Sequence, residues 1–156
     1  MQLARARGAH VIATVHRDTH EAVRFGAKEA YDSLDVDAID AIKQKHPNGI
    51  DAVLDVVNGP EAIRRDAEIL KPGGRLVSTL YAADLPWFVR RRITAQNIAS
   101  VENPFASRRG LTELSHFLAT GAITARIATT ETLANAGALL DQVRHGGVHG
   151  KAVIRT

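Results

Sequence analysis

Two periods of apolar residues alternate along this chain, and each change of period marks a new element. His10 to Val15 is a short, apolar, β-rich run of the kind a parallel strand buried on both faces requires. Residues 1–7 before it read as the last turns of a helix stopped by Gly8. Asp18 or Thr19 then caps a helix through Phe25 that ends at Gly26, and Glu29 to Asp32 follows as a short strand. Ile39 and Ile42 share one face of a helix over 37–46, closed by Pro47-Asn48-Gly49. Ile50 to Val57 is the strongest strand in the sequence. Asn58-Gly59-Pro60 breaks it and opens a helix to about Leu70, with proline in the first turn.

Lys71-Pro72-Gly73-Gly74 reads as a sharp turn before a strand over 75–80. Beyond it the pattern predicts a short helix over 82–91, a strand over 92–101 and a loop at Glu102-Asn103-Pro104. Leu111, Leu114, Phe117 and Leu118 lie on one face of a helix over 110–120, closed by Gly121. An extended stretch at 123–129, a helix over 132–144 capped by Gly146-Gly147, and a terminal strand over 151–155 complete the chain. Strand, helix and strand in this alternation predict an α/β fold with parallel, right-handed crossovers.

Composition narrows the function classes. The 156 residues are 45% hydrophobic and 24% charged, an ordinary globular balance for one domain-sized chain. With no cysteine, disulfides and thiolate-held zinc or iron–sulfur sites are excluded. Seven histidines are scattered without an HExxH or HxH pair, so the sequence predicts no metal site. No apolar run approaches the roughly 20 residues of a membrane helix, and no secretory signal pattern is seen, which makes a cytoplasmic protein the expectation. The net charge of +3 comes mainly from arginine, including Arg90-Arg91-Arg92 and Arg108-Arg109. With aromatics at 4%, those arginines read as a solvated or anion-facing surface rather than a nucleic-acid interface.

The order of the segments Gln2 to Thr14, Phe25-Gly26-Ala27, Gly49 to Asp55, Leu70 to Val77 and His149 to Ile154 resembles the C-terminal half of a medium-chain dehydrogenase/reductase, in its zinc-independent quinone oxidoreductase branch. The resemblance covers essentially the whole chain. It implies a Rossmann-like, doubly wound, mostly parallel sheet truncated at the N-terminus: the family's first strand and glycine-rich turn would stand just before Met1. It divides the chain into a truncated NAD(P)-binding domain over 1–122 and a tail over 123–156 that in the family belongs to the substrate domain. Removing a central strand leaves rows of unpaired backbone groups. The neighbouring strands closing up, a strand from a second chain, or a poorly stable domain are the open outcomes.

Cofactor contacts are expected at the carboxyl ends of strands, where open α/β sheets bind ligands. At the end of the 10–15 strand stand His16 and Arg17 rather than the acidic residue that holds an NAD ribose. A guanidinium there suits a 2′-phosphate, so NADP(H) is the expected cofactor, with NAD(H) as the alternative. Val57, Asn58 and Gly59 stand at the end of the strand over 50–57, and Ser78 and Leu80 at the end of the strand over 75–80. No catalytic residue is predicted: Ser78 has no evident histidine partner, no GxSxG elbow occurs, and Asp51 and Asp55 read as satisfying nearby loop or helix groups.

The expected function is therefore hydride transfer to or from a small molecule by an NAD(P)H-dependent oxidoreductase of the quinone oxidoreductase/alcohol dehydrogenase type, represented here by its cofactor-binding half, with inactivity of this half by itself an open outcome. A homodimer, including a strand-exchanged one, is the expected assembly. A non-catalytic nucleotide-binding or oligomerisation module is the alternative. A third reading, an S-adenosylmethionine-dependent methyltransferase, follows from Leu70 to Val77. It lacks the acidic residue that His16 and Arg17 replace.

Overall fold

The computed structural model describes residues 1–16, 18–35, 37–99 and 107–156. Its elements are α1 (Gln2–Ala6), β1 (Ile12–Val15), α2 (Thr19–Arg24), β2 (Glu29–Asp32), α3 (Ala38–Lys45), β3 (Ile50–Asp55), α4 (Pro60–Asp66), β4 (Leu70–Ser78), α5 (Leu85–Val89), β5 (Thr94–Asn97), α6 (Arg108–Ala119), β6 (Ile127–Thr132), α7 (Ala136–Arg144) and β7 (Lys151–Arg155). Caps fix several of the boundaries. The Asp18 carboxylate accepts the Glu21 N–H at 2.9 Å to start α2, and Asp84 accepts the Trp87 N–H at 3.3 Å to start α5.

Among the described residues every strand pairing is parallel, which gives the α/β, Rossmann-like architecture that the alternation of elements predicts. Among the described residues the strands form three sheets, β1–β2, β3–β4–β5 and β6–β7. β1 and β3 share no ladder, so these two strands have not closed on one another. α3 joins the first two sheets instead. Its buried Ile39 and Ile42, with Ile69, pack against Ile12 of β1, Tyr31 of β2, and Ile50 and Val53 of β3. The largest core lies on β3–β4–β5, where Ile63, Leu76 and Phe88 are fully buried beside Ile93.

Several boundaries differ from the sequence reading, among them the ends of β4 at Ser78 and β5 at Asn97 and the starts of α5 at Leu85 and β6 at Ile127. β3 stops at Asp55 and not Val57, because the Asp55 carboxylate accepts the Val57 and Asn58 N–H groups at 3.2 and 2.9 Å and curls the chain away. β4 begins at Leu70, since Ile50 pairs with Leu70 and Ala52 with Arg75. The expected turn at 71–74 is thus a bulge inside a strand. It needs its glycines: Gly73 has φ +81°, and a Cβ on Gly74 would stand 2.8 Å from the Lys71 carbonyl oxygen. β5 begins only at Thr94, because Arg92 takes a left-handed φ of 59° and its carbonyl accepts the Gly73 N–H. β6 extends to Thr132, a residue expected to open the following helix, and α7 starts at Ala136. The expected loop at 102–104 and the end of the strand at 101 lie outside the described residues.

The apolar face of α6 is uncovered, and none of its residues is buried. Arg7 supplies its ties to the end of α1, pairing with Glu113 at 2.9 Å and lying 5.4 Å over the Phe117 ring. The β6–α7–β7 segment is fastened to the rest by an Arg126–Glu21 ion pair and by Gln2, whose side-chain amide exchanges hydrogen bonds with the Thr124 backbone. No helix among the described residues is long and apolar enough to cross a membrane.

Candidate functional site at the carboxyl ends of the strands

The register of the three-stranded sheet places Asp55, Ser78 and Asn97 in one row at the ends of β3, β4 and β5. Each of these short polar residues closes its strand by seizing the backbone of a loop. Asp55, buried, holds 56–58 as described above. Ser78 is fully buried, and its hydroxyl oxygen accepts the Leu80 and Ala82 N–H groups at 3.3 and 3.1 Å. That grip braces Tyr81 at φ 57°, a left-handed conformation that costs about 1 kcal/mol for a residue with a Cβ. Asn97 completes the row: its amide accepts the Ala83 N–H at 3.1 Å and donates to the Ala83 carbonyl at 2.9 Å.

Asn58 bridges two carboxylates. Its side-chain amide donates to Asp55 at 2.6 Å and to Asp66 at 2.7 Å. Burial, and then the nearby charge of Asp55, push the Asp66 carboxyl above its usual pKa, while Asn58 opposes the shift. The other expected contacts are placed more openly. His16 is exposed directly after β1, and Arg17 lies outside the described residues. Val57 is 73% and Leu80 56% exposed. A Cβ built on Gly59 would have nothing within 4 Å, so the backbone there is open to approach. The structure therefore sorts the expected residues into two kinds: Asn58 and Ser78 shape the loops, while His16, Val57, Gly59 and Leu80 face outward.

Sequence reasoning missed Asp66 and Asn97. Asn97 became legible only once β5 was seen to end there, since the apolar pattern continued to Val101. Asp51 is exposed and ion-paired with Lys71 of the neighbouring strand β4, not with the loop or helix group expected of it, and that ammonium lowers its pKa. Two surface concavities, of about 450 Å³ beside α1 and Phe25 and about 170 Å³ beside His46 and Lys71, are lined by none of the strand-end residues above.

The parallel crossovers and the braced strand ends define a nucleotide-fold α/β protein. A family model described as zinc-binding dehydrogenase matches residues 1–119, and the chain belongs to that family, within the medium-chain dehydrogenase/reductases. The match includes 70–77, the stretch shared with methyltransferases, so the dehydrogenase reading displaces that alternative. Solved structures agree in fold. The CurF ER cyclopropanase from the curacin A biosynthetic pathway superposes with a TM-score of 0.81 at 19% identity, covering 98% of this chain and 49% of that one. An alcohol dehydrogenase from the archaeon Aeropyrum pernix gives 0.80 at 21%, covering 99% and 45%. A probable oxidoreductase from Mycobacterium abscessus gives 0.79 at 25%, covering 99% and 49%. The chain thus spans about half the length of these structures. No curated protein sequence matches it.

The strand ends do not fit the zinc ion of the family's description. Among the described residues, no group of three metal-ligating side chains forms there, and no step through a metal follows for that edge.

Proposed function

We propose that this chain forms the dinucleotide-holding part of an NADP(H)-linked oxidoreductase of the quinone oxidoreductase type. The observation that supports this reading best is the contrast at the strand ends. Buried Asp55 and Ser78 and half-buried Asn97 brace the loops through their backbone N–H groups, and the loops after β3 and β4 present Val57, Gly59 and Leu80 to solvent. Exposed apolar side chains beside an open glycine suit the flat faces of a bound dinucleotide's rings. One of the matched structures is described as an NAD-dependent alcohol dehydrogenase, at 22% identity. The nicotinamide, when bound, supplies the hydride. The chain's own part is to orient the rings on Val57 and Leu80 and to keep water off them. His16 and Arg17 meet the 2′-phosphate, which favours NADP(H) over NAD(H). The substrate is a small molecule, and the setting proposed is the cytoplasm.

The free edges of β1 and β3 support a second part of the proposal, a homodimer in which a strand is exchanged or added. Sedimentation at micromolar concentration that shows a monomer alone would overturn it. A non-catalytic nucleotide-binding module is the second reading. It is favoured by the use of Asp55, Ser78 and Asn97 as loop braces.

Fluorescence titration decides between these readings. NADPH should bind more tightly than NADH, and Arg17→Ala should erase roughly 10- to 100-fold of the difference, the worth of a charge-assisted phosphate contact. Turnover of a quinone to its hydroquinone, with hydride from NADPH and a proton from solvent, supports the enzyme. Binding without turnover supports the module, and failure to bind either nucleotide ends both.

A further inference from the structure

At the amino ends of β1 and β2 the fold assembles three metal-ligating side chains. His10 precedes β1, Glu29 is the first residue of β2, and His46 caps the end of α3. Their ligand atoms lie within 4.8 Å of one another. Both imidazoles point Nε2 at the same carboxylate oxygen, Oε1 of Glu29, at 2.7 Å from His10 and 3.1 Å from His46. The two rings meet edge to face with centroids 5.8 Å apart. The Glu29 side chain is only 8% exposed, and the Tyr31 hydroxyl donates to its second oxygen at 2.9 Å. The carboxylate is therefore aimed and held before any ligand arrives.

We propose that His10, Glu29 and His46 form a binding site for a borderline divalent transition-metal ion such as Zn²⁺. Two imidazoles and one carboxylate are a donor set that zinc accepts, with solvent completing a tetrahedron. Donors around a tetrahedral zinc stand about 3.4 Å apart, given bonds near 2.0–2.1 Å. The two His–Glu29 contacts need to lengthen by less than about 1 Å, and the two imidazole nitrogens, within 4.8 Å of one another, need to close by no more than about 1.4 Å. His10 can yield that distance, because its side chain is 54% exposed and it precedes the strand. Lys45 is the competing cation, with Nζ 3.3 Å from Glu29. Its side chain is 60% exposed, so it can swing into water when a metal takes its place. The chain has no thiolate, so imidazole and carboxylate would carry the ion alone.

The position gives the site a role distinct from the nucleotide edge. His10 and Glu29 belong to the β1–β2 sheet, while His46 ends α3 and leads through 47–49 into β3. An ion here ties together two sheets that share no ladder. It acts as a fastener, with Tyr31 as a positioning residue for the carboxylate.

The experiment uses the full chain without a histidine tag, stripped with EDTA and titrated with ZnCl₂ by calorimetry. One ion per chain should bind, and the melting temperature should rise by roughly 5–10 °C at a hundredfold excess over Kd. Co²⁺ should give the strong visible absorption of a four-coordinate ion, and Mg²⁺ should bind no better than to the His10→Ala/His46→Ala double variant. His10→Ala and His46→Ala, each checked for fold by circular dichroism, should each weaken Zn²⁺ binding at least tenfold, and His145→Ala should leave it unchanged. Tyr31→Phe should weaken it by about 10- to 100-fold. Absence of Zn²⁺ binding to the wild-type chain, or equal affinity in the double variant, overturns the site.

Discussion

The β3–β4–β5 sheet and the β1–β2 pair use the same parallel ladder but are held by different means. The first buries Ile63, Leu76, Phe88 and Ile93 under α4 and α5, with Trp87 edge-on to Phe88 at 4.8 Å. The second has a small cluster of Ala13, Ala22 and Ala27, and packs Ile12 and Tyr31 against Ile39 and Ile42 of α3. A methyl contributes on the order of 0.8 kcal/mol when buried, against about 1.5–3 for a large apolar side chain. The alanine layer is therefore a weak hold on β1–β2. What it has in addition is the Glu29 network, in which one carboxylate meets His10, Tyr31, Lys45 and His46. Two sheets of one chain thus stand side by side, one fixed by a large apolar core and the other by smaller apolar contacts together with a single ionised group.

The sharpest way to break this contrast is on the larger core. Phe88→Ala should lower the stability of the chain by about 3–5 kcal/mol in urea unfolding, through the cavity it leaves. A loss under 1 kcal/mol would mean that this sheet does not depend on packing. The second test falls on the smaller sheet. Burial pushes the Glu29 carboxyl up, but hydrogen bonds from His46, Tyr31, His10 and Lys45 outweigh it and hold the pKa down to about 2. A folded-state pKa below the unfolded value stabilises the fold above the unfolded pKa of about 4.5. That contribution disappears as pH falls through 4.5 toward 2. Glu29→Gln should cost about 2 kcal/mol at neutral pH and flatten this part of the acid-unfolding profile. An unchanged profile in Glu29→Gln would show that the network carries no weight in β1–β2.

Much of the local structure was legible in the residues. Asp18 as a cap, Pro60 in the first turn of α4, and the ends of α2 at Gly26 and of α7 at Gly146 follow from side-chain and glycine chemistry within a few positions. The turn chemistry at 71–74 was equally plain. Its place inside β4 was not, because pairing of Leu70 with Ile50 depends on a second strand. At the nucleotide edge, His16, Val57, Gly59 and Leu80 could be picked out as strand ends. The burial of Ser78 under two backbone N–H groups, and the Asn58 bridge to Asp66, could not.

The sequence by itself determined the order of elements and the parallel α/β class, since apolar period and turn residues act over neighbouring positions. Only the tertiary structure decided which polar side chains meet. His10, Glu29 and His46 are separated by 19 and 17 residues, and no spacing rule joins them. Two crossovers bring the amino ends of β1 and β2 and the end of α3 to one point. There a carboxylate shielded from water gathers whatever positive or hydrogen-bonding groups lie within reach.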